Sequence, residues 1–139
     1  CRQLVGIDLS PKMLEIAKKK EVYDVIENID INKYLNNDLE KYDLFIATDV
    51  LIYIGDLSQL FSNISGASKS GAVFLFSTES TNTNDYLLTN QGRYAHSDKY
   101  VNQLARLHQF TILNVENTIL RTEEGKGVDG QLFILKYLG

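Results

Sequence analysis

Three carboxylates stand near the ends of short strand-like runs: Asp8 after residues 4–7, Asp30 after residues 25–28, and Asp49 just beyond residues 42–47. An acid at the carboxyl end of a parallel strand, followed at once by a helix, is placed to accept hydrogen bonds from ribose hydroxyls. Asp8 meets that description best; its plain alternative is an acid that caps the turn behind it. Asp30 reads equally well as a loop acid. Asp49 lies between apolar runs, where a buried carboxylate must be hydrogen-bonded or shifted in pKa. A second group, Arg93, Tyr94 and His96, precedes a helix start. An Arg can hold a carboxylate or phosphate bidentately, and a His can take a proton near neutral pH. The alternative is that Tyr94 and His96 only fix their loop. Tyr53, taken alone, is more often a core residue than a catalytic one. His108 near a helix end, and Glu123 and Glu124 in a turn, read as structural or solvated. No catalytic triad, paired-carboxylate device or metal-ligand spacing is visible, so no metal is expected.

The elements that must position these groups follow from periodicity. Residues 4–8 form a strand closed by Asp8, and Ser10 with Pro11 opens a helix at once. Met13, Leu14, Ile16 and Ala17 recur at helical spacing, and Lys18-Lys19-Lys20 complements the dipole at its end. Residues 25–28 form a second strand, and the polar stretch 32–40 a loop or one helical turn. Residues 42–47 are nearly all apolar, as a strand covered on both faces should be. A helix capped by Asp56 carries Leu57, Leu60, Phe61, Ile64 and Ala67 and ends at Lys69-Ser70-Gly71. Residues 72–76 form another apolar strand, with Ser77-Thr78-Glu79 at its carboxyl end. Residues 81–91 read as irregular. Ser97 caps a helix with Tyr100, Val101, Leu104, Ala105 and Leu107 on its buried stripe. Two long strands, 110–120 and 130–138, flank a Gly-rich connection at 121–129. A short non-helical connection joins antiparallel neighbours, so the chain ends in a hairpin.

With 139 residues, 44% of them hydrophobic, the chain suits a single domain over residues 1–139. A net charge of −4 argues against nucleic acid or an anionic membrane as the main partner. The single cysteine, Cys1, rules out an internal disulfide and fits a reducing cytoplasm. No stretch is long and apolar enough to span a bilayer. The chain opens without Met, which reads as part of a longer polypeptide.

Together these features resemble a class I S-adenosylmethionine-dependent methyltransferase. The expected fold is therefore α/β: a Rossmann-like, mostly parallel sheet with a C-terminal antiparallel hairpin. LVGIDLSPKMLEIAKKK is similar to the family's strand and helix with the ribose-binding acid, here Asp8, with Leu9 and Met13 near the cofactor. IENIDI resembles the next motif, whose acid reads the adenine amino group, here Asp30 beside Ile31. YDLFIATDVLIYIGDL resembles the strand and loop beneath the methionyl part, which would turn Thr48, Asp49 and Tyr53 toward the reaction centre. The resemblance implies S-adenosylmethionine as cofactor, with Asp49 a catalytic candidate and Tyr53 facing the acceptor. Arg93, Tyr94 and His96, the last a second catalytic candidate, together with the 81–91 loop hint at a small polar acceptor, and a protein or lipid-linked acceptor fits as well. DVLIYIGDL together with GRYAHS is most like the methyltransferases that carry tetratricopeptide repeats, whose catalytic domain ends in a similar LR-x-E-x-G-x-x-x-x-G stretch, here residues 120–130.

The family's first strand, first helix and Gly-rich motif have no counterpart in these residues. That strand would lie between the strands at 4–8 and 42–47, and its absence implies a gap of roughly 10 Å between them. Residues 1–139 alone are accordingly expected to bind the cofactor weakly or not at all. Two rival readings share part of the pattern. A nicotinamide dinucleotide oxidoreductase would share the acid at the strand end but add a further parallel unit in place of the hairpin. A non-catalytic assembly module would use the open strand edges to form a homodimer.

Overall fold

The computed structural model describes residues 2–37, 39–123 and 125–139, so the expectations for Cys1 and Glu124 lie outside the described residues. It divides into two compact units, Cys1–Leu39 and Glu40–Gly139.

In the first unit, β1 (Val5–Asp8) pairs in parallel with β2 (Val25–Asn28), with Asp8 opposite Asn28. Between them runs α1 (Pro11–Lys18), whose start follows from two residues. Ser10 Oγ accepts the Met13 amide at 3.4 Å, and Pro11 occupies a first-turn position where no amide is required. Only Leu14 of the expected stripe is buried, while Met13 and Ile16 are 52% and 45% exposed. The stretch expected as a loop or single turn is instead α2 (Ile31–Asn37). Asp30 supplies the reason: its Oδ1 accepts the amides of Asn32 and Lys33 at 3.0 and 3.1 Å, which caps the helix despite its poor helix formers.

The second unit is built on β4 (Ser68–Ser80), a 13-residue strand. It pairs in parallel with β3 (Tyr42–Ala47), and beyond the end of β3 with β6 (Tyr94–His96). Its other side pairs antiparallel with β8 (Lys126–Tyr137), which pairs antiparallel with β7 (Phe110–Glu123). The expected terminal hairpin is present, and its ladder extends to Glu123 and Lys126. The connection expected over residues 121–129 is therefore mostly strand. A further hairpin was not anticipated: β5 (Tyr86–Leu88) pairs antiparallel with β6, inside the segment read as irregular. Strands β1 and β3 belong to different sheets.

Helix α3 (Ser58–Gly66) stops at Gly66 rather than at the Lys69-Ser70-Gly71 stretch, because Ser68, Lys69 and Ser70 already belong to β4. Asp56 Oδ1 accepts the Ser58 amide at 2.8 Å at its start. Helix α4 (Asp98–Leu107) is capped by Ser97 Oγ as expected, with Tyr100, Val101, Leu104 and Ala105 buried. Leu107 departs from its expected stripe and is 73% exposed at the helix end. The strand at 42–47 is not covered on both faces: Leu44 and Ile46 are 54% and 64% exposed.

The core is aromatic. Phe61 of α3 meets Phe74, Phe76 and Phe110 edge-on, with ring centroids 5.8, 5.8 and 6.1 Å apart, and Phe133 stacks on Phe76 at 5.2 Å. Alternation along β4 explains the choice of residues, since Phe74 and Phe76 fall on the face that α3 covers. Truncating Phe61 removes a side chain with no exposed area from this cluster. Phe61→Ala should lower the unfolding free energy of this unit by about 3–5 kcal/mol, measured by urea denaturation.

Candidate functional site

In the first unit Asp8 closes β1, and Asp30 lies two residues beyond the end of β2, its parallel neighbour. Asp8 is exposed, and its Oδ1 accepts the Ser10 amide at 2.7 Å. That is the turn-capping arrangement, yet a carboxylate has a second oxygen, so the bond to Ser10 leaves Oδ2 for a ligand. The Asn28 amide nitrogen donates to the Asp8 carbonyl at 2.8 Å and ties the two strand ends together. Asp30 and Ile31 are half-buried, while Leu9 is 68% exposed beside Asp8.

In the second unit Thr48 and Asp49 follow directly on β3 and are exposed. Asp49 is not the buried carboxylate expected, since its side chain is 62% exposed. It holds a left-handed backbone, φ 59°, and its amide donates to Ser77 Oγ of β4 at 2.9 Å. Its Oδ1 accepts Arg121 Nη1 at 3.0 Å. Arg121 also donates through Nη2 to Glu79 and through Nε to Glu123, the latter at 2.7 Å. Arg93 Nη1 donates to the same Glu123 oxygen. Arg93, expected to grip an acceptor, is thus engaged by a protein carboxylate. Glu123, expected as a solvated turn residue, is a half-buried bridge between two guanidinium groups.

Sequence reasoning missed Arg121 and Glu79 as site residues. The available signal was Glu79 at the carboxyl end of an apolar strand, together with the period-two spacing of Arg121 and Glu123, which puts both on one face of a strand. Glu79 is 8% exposed, and a carboxylate that deep needs a partner. The LR-x-E-x-G-x-x-x-x-G stretch gains a physical account here. Gly125 turns the hairpin with φ 78°, and a Cβ on Gly130 would collide with Leu120 and the Thr78 carbonyl. Glu79 and Glu123 also line a cavity of about 430 Å³ with Gln91, Lys126, Gly127 and Val128.

His96 takes the loop-fixing role rather than an acid-base one. It has no exposed area, and its Nε2 lies 2.9 and 3.0 Å from the carbonyl oxygens of Ile54 and Gly55, to which it donates. A proton held there cannot reach a solvent-borne acceptor. Burial lowers its pKa, against the two carbonyls, which favour the charged ring. The neutral ring stacks on Tyr100, 6.3 Å away with planes 12° apart. The Tyr100 hydroxyl donates to Asp56 Oδ1 at 3.0 Å and accepts the Leu57 amide at 2.9 Å. Hydrogen bonds from Ser58 and Tyr100 hold the Asp56 carboxyl below its usual value. Tyr94 packs by Gly55 and Tyr86, whereas Tyr53, read as a core residue in its plain alternative, is 68% exposed. His108 also has its pKa lowered by burial.

Among the described residues no group of His, Cys, Asp or Glu is arranged to hold a metal ion. No described helix is long and apolar enough to cross a membrane.

A mixed sheet with parallel strands ending in acids, closed by an antiparallel hairpin, is the α/β fold of methyltransferases. The family model described as a methyltransferase domain matches residues 1–74, more than half of the 139-residue chain. The chain belongs to that family. The match includes Asp8, Asp30 and Asp49 and stops short of Arg93, His96 and Arg121. Solved structures of similar fold include an S-adenosylmethionine-dependent methyltransferase from Methanosarcina mazei, at 16% identity and a TM-score of 0.71 over 98% of this chain and 82% of that one. Another is the N-methyltransferase NodS from Bradyrhizobium japonicum in complex with S-adenosyl-L-homocysteine, at 18% identity and 0.72 over 99% and 67%. A third, an S-adenosylmethionine-dependent methyltransferase from Clostridium acetobutylicum, matches at 17% and 0.72 over 99% and 76%. Comparison with curated proteins gives no match.

The His96 arrangement has a pH signature. Its folded pKa lies below 6.5, so between that value and 6.5 the unfolded chain binds more protons than the folded one. Stability should therefore fall as pH drops from about 7 through this window and level off below the folded pKa. Urea midpoints measured from pH 7.5 to 5 should show that slope, and His96→Gln should reduce it to the part contributed by His108.

Proposed function

We propose that the protein transfers a methyl group from S-adenosylmethionine to a small polar acceptor. The observation that carries this reading is the pair Asp8 and Asp30 at neighbouring carboxyl ends of β1 and β2, within the stretch that matches the methyltransferase-domain family. Asp8, with Leu9 and Met13 beside it, takes the ribose hydroxyls, and Asp30 with Ile31 takes the adenine amino edge. The donor chemistry fits: ribose hydroxyls and an exocyclic amine donate, and a carboxylate accepts. When bound, the cofactor supplies a methyl group on a sulfonium, open to in-line displacement at carbon.

The family resemblance assigns Thr48 and Asp49 to the methionyl end and Tyr53 to the acceptor, and all three are exposed in the second unit. His96 and Tyr94 act through the Ile54–Gly55 backbone rather than on the acceptor itself. Such a reaction needs nucleophile and methyl held in line, and a base only when the acceptor starts protonated. The antiparallel β7–β8 hairpin favours this reading over hydride transfer from a nicotinamide cofactor. The residues 120–130 favour the branch whose members carry tetratricopeptide repeats.

Calorimetric titration of S-adenosyl-L-homocysteine into the full-length protein tests the assignment. Saturable binding is expected, with Asp8→Ala weakening it roughly tenfold or more, as loss of hydrogen bonds to a charged acceptor should. Unchanged affinity in that variant would remove the ribose role from Asp8. Tighter binding of reduced nicotinamide dinucleotide than of S-adenosyl-L-homocysteine would overturn the reaction class.

A further inference from the structure

We propose that Arg121 is the positioning residue for the loop that carries Asp49, a role in methyl transfer that rests on the function proposed above. Asp49 has a left-handed backbone, φ 59°, a region that Asp enters more readily than most residues with a side chain. Two bonds from different strands hold it there. Ser77 Oγ of β4 takes the Asp49 amide at 2.9 Å, and Arg121 Nη1 of β7 holds its carboxylate at 3.0 Å. With 62% of the Asp49 side chain exposed, packing does not set its direction, so the guanidinium does.

Arg121 is itself held. Its side chain is 19% exposed, Glu79 takes Nη2 from a side chain 10% exposed, and Glu123 takes Nε. Glu123 is held in turn by Arg93. Three edges of one planar group therefore meet three carboxylates from the β3 loop, β4 and β7 itself. A guanidinium has donors in a fixed fork, whereas an ammonium is a point charge on a flexible stem, so Lys cannot reproduce this bracket. The carboxylates on β4 and β7 fix the fork, and the fork fixes Asp49. Arg93 belongs to the same bracket one step further out, which gives it a supporting task in place of direct acceptor binding. Neither arginine lies within the stretch matched by the family model, residues 1–74.

The test separates this role from general stability and from the cofactor assignment. Arg121→Lys keeps the charge and loses the fork. Arg121→Met combined with Glu79→Gln loses both without leaving a buried carboxylate unpaired. In both variants amide hydrogen exchange at Thr48, Asp49 and Val50 should rise about tenfold, with α3 and the middle of β4 as protected as before. Affinity of the full-length protein for S-adenosyl-L-homocysteine should fall about tenfold in Arg121→Lys, and adding Asp49→Asn to it should weaken binding no further than Asp49→Asn alone. Unchanged exchange at residues 48–50 in both variants overturns the proposal, as do losses of affinity that add in the double variant. Raised exchange in a protein whose unaltered form binds no S-adenosyl-L-homocysteine supports the bracket and overturns the cofactor reading instead.

Discussion

The second unit depends on the backbone pairing of one strand. β4 is hydrogen-bonded to β3 over residues 73–76, to β8 over 73–79 and to β6 at 79–80, so nearly every amide of its apolar middle is committed. Buried amides and carbonyls are costly unless paired, and this strand pairs on both edges. That is why it tolerates an almost unbroken apolar run, and why Phe74 and Phe76 can face Phe61 with no exposed area. Its carboxyl end outruns β3, and the space beside it is taken by β6. This brings Tyr94, Ala95 and His96 next to Glu79 and Ser80.

Charge is handled differently at that end. Glu79 sits at a buried position on the opposite face from Phe74, Phe76 and Thr78, and it is compensated by Arg121 from a strand not hydrogen-bonded to β4. Breaking a well-buried pair by removing one partner leaves an uncompensated charge and costs about 3–5 kcal/mol; partial exposure of Arg121 reduces this. The pairing also sets geometry. It fixes one end of the hairpin against the loop after β3, and Asp49 is the beneficiary. A parallel economy operates on the other side, where one buried imidazole ties down the Ile54 and Gly55 carbonyls while Tyr100 secures Asp56 and Leu57.

Much of the fold was legible because its signals are local. Ser10-Pro11 and Ser97 mark helix starts by chemistry contained within four residues, and both helices begin there. Residues 25–28 and 42–47 carry enough Val, Ile, Leu and Phe to read as strands, and they are strands with those bounds. Where the reading failed, tertiary pairing overrode composition. Ser68, Lys69 and Ser70 look like a helix end and a turn, yet they extend β4 beside Tyr42. Tyr86, Leu87 and Leu88 lie in a polar stretch and become a strand because β6 offers an edge. The residues 32–37 look like a loop until Asp30 is seen to cap them.

The amino-acid sequence by itself determined where acids stand at the ends of strand-like runs, with a helix start behind Asp8. Hydrophobic alternation and capping act over a few residues, so their result is written in neighbouring letters. Only the tertiary structure decided which charges meet. Arg121 lies 72 residues from Asp49 and 42 from Glu79, and no local pattern links them. Their meeting follows from a strand order that sets β8 between β4 and β7, and from the twist and register that turn one face of each toward the same end. His96 shows the same division, since its residue type suggested a proton carrier and its burial against two carbonyls made it a structural donor.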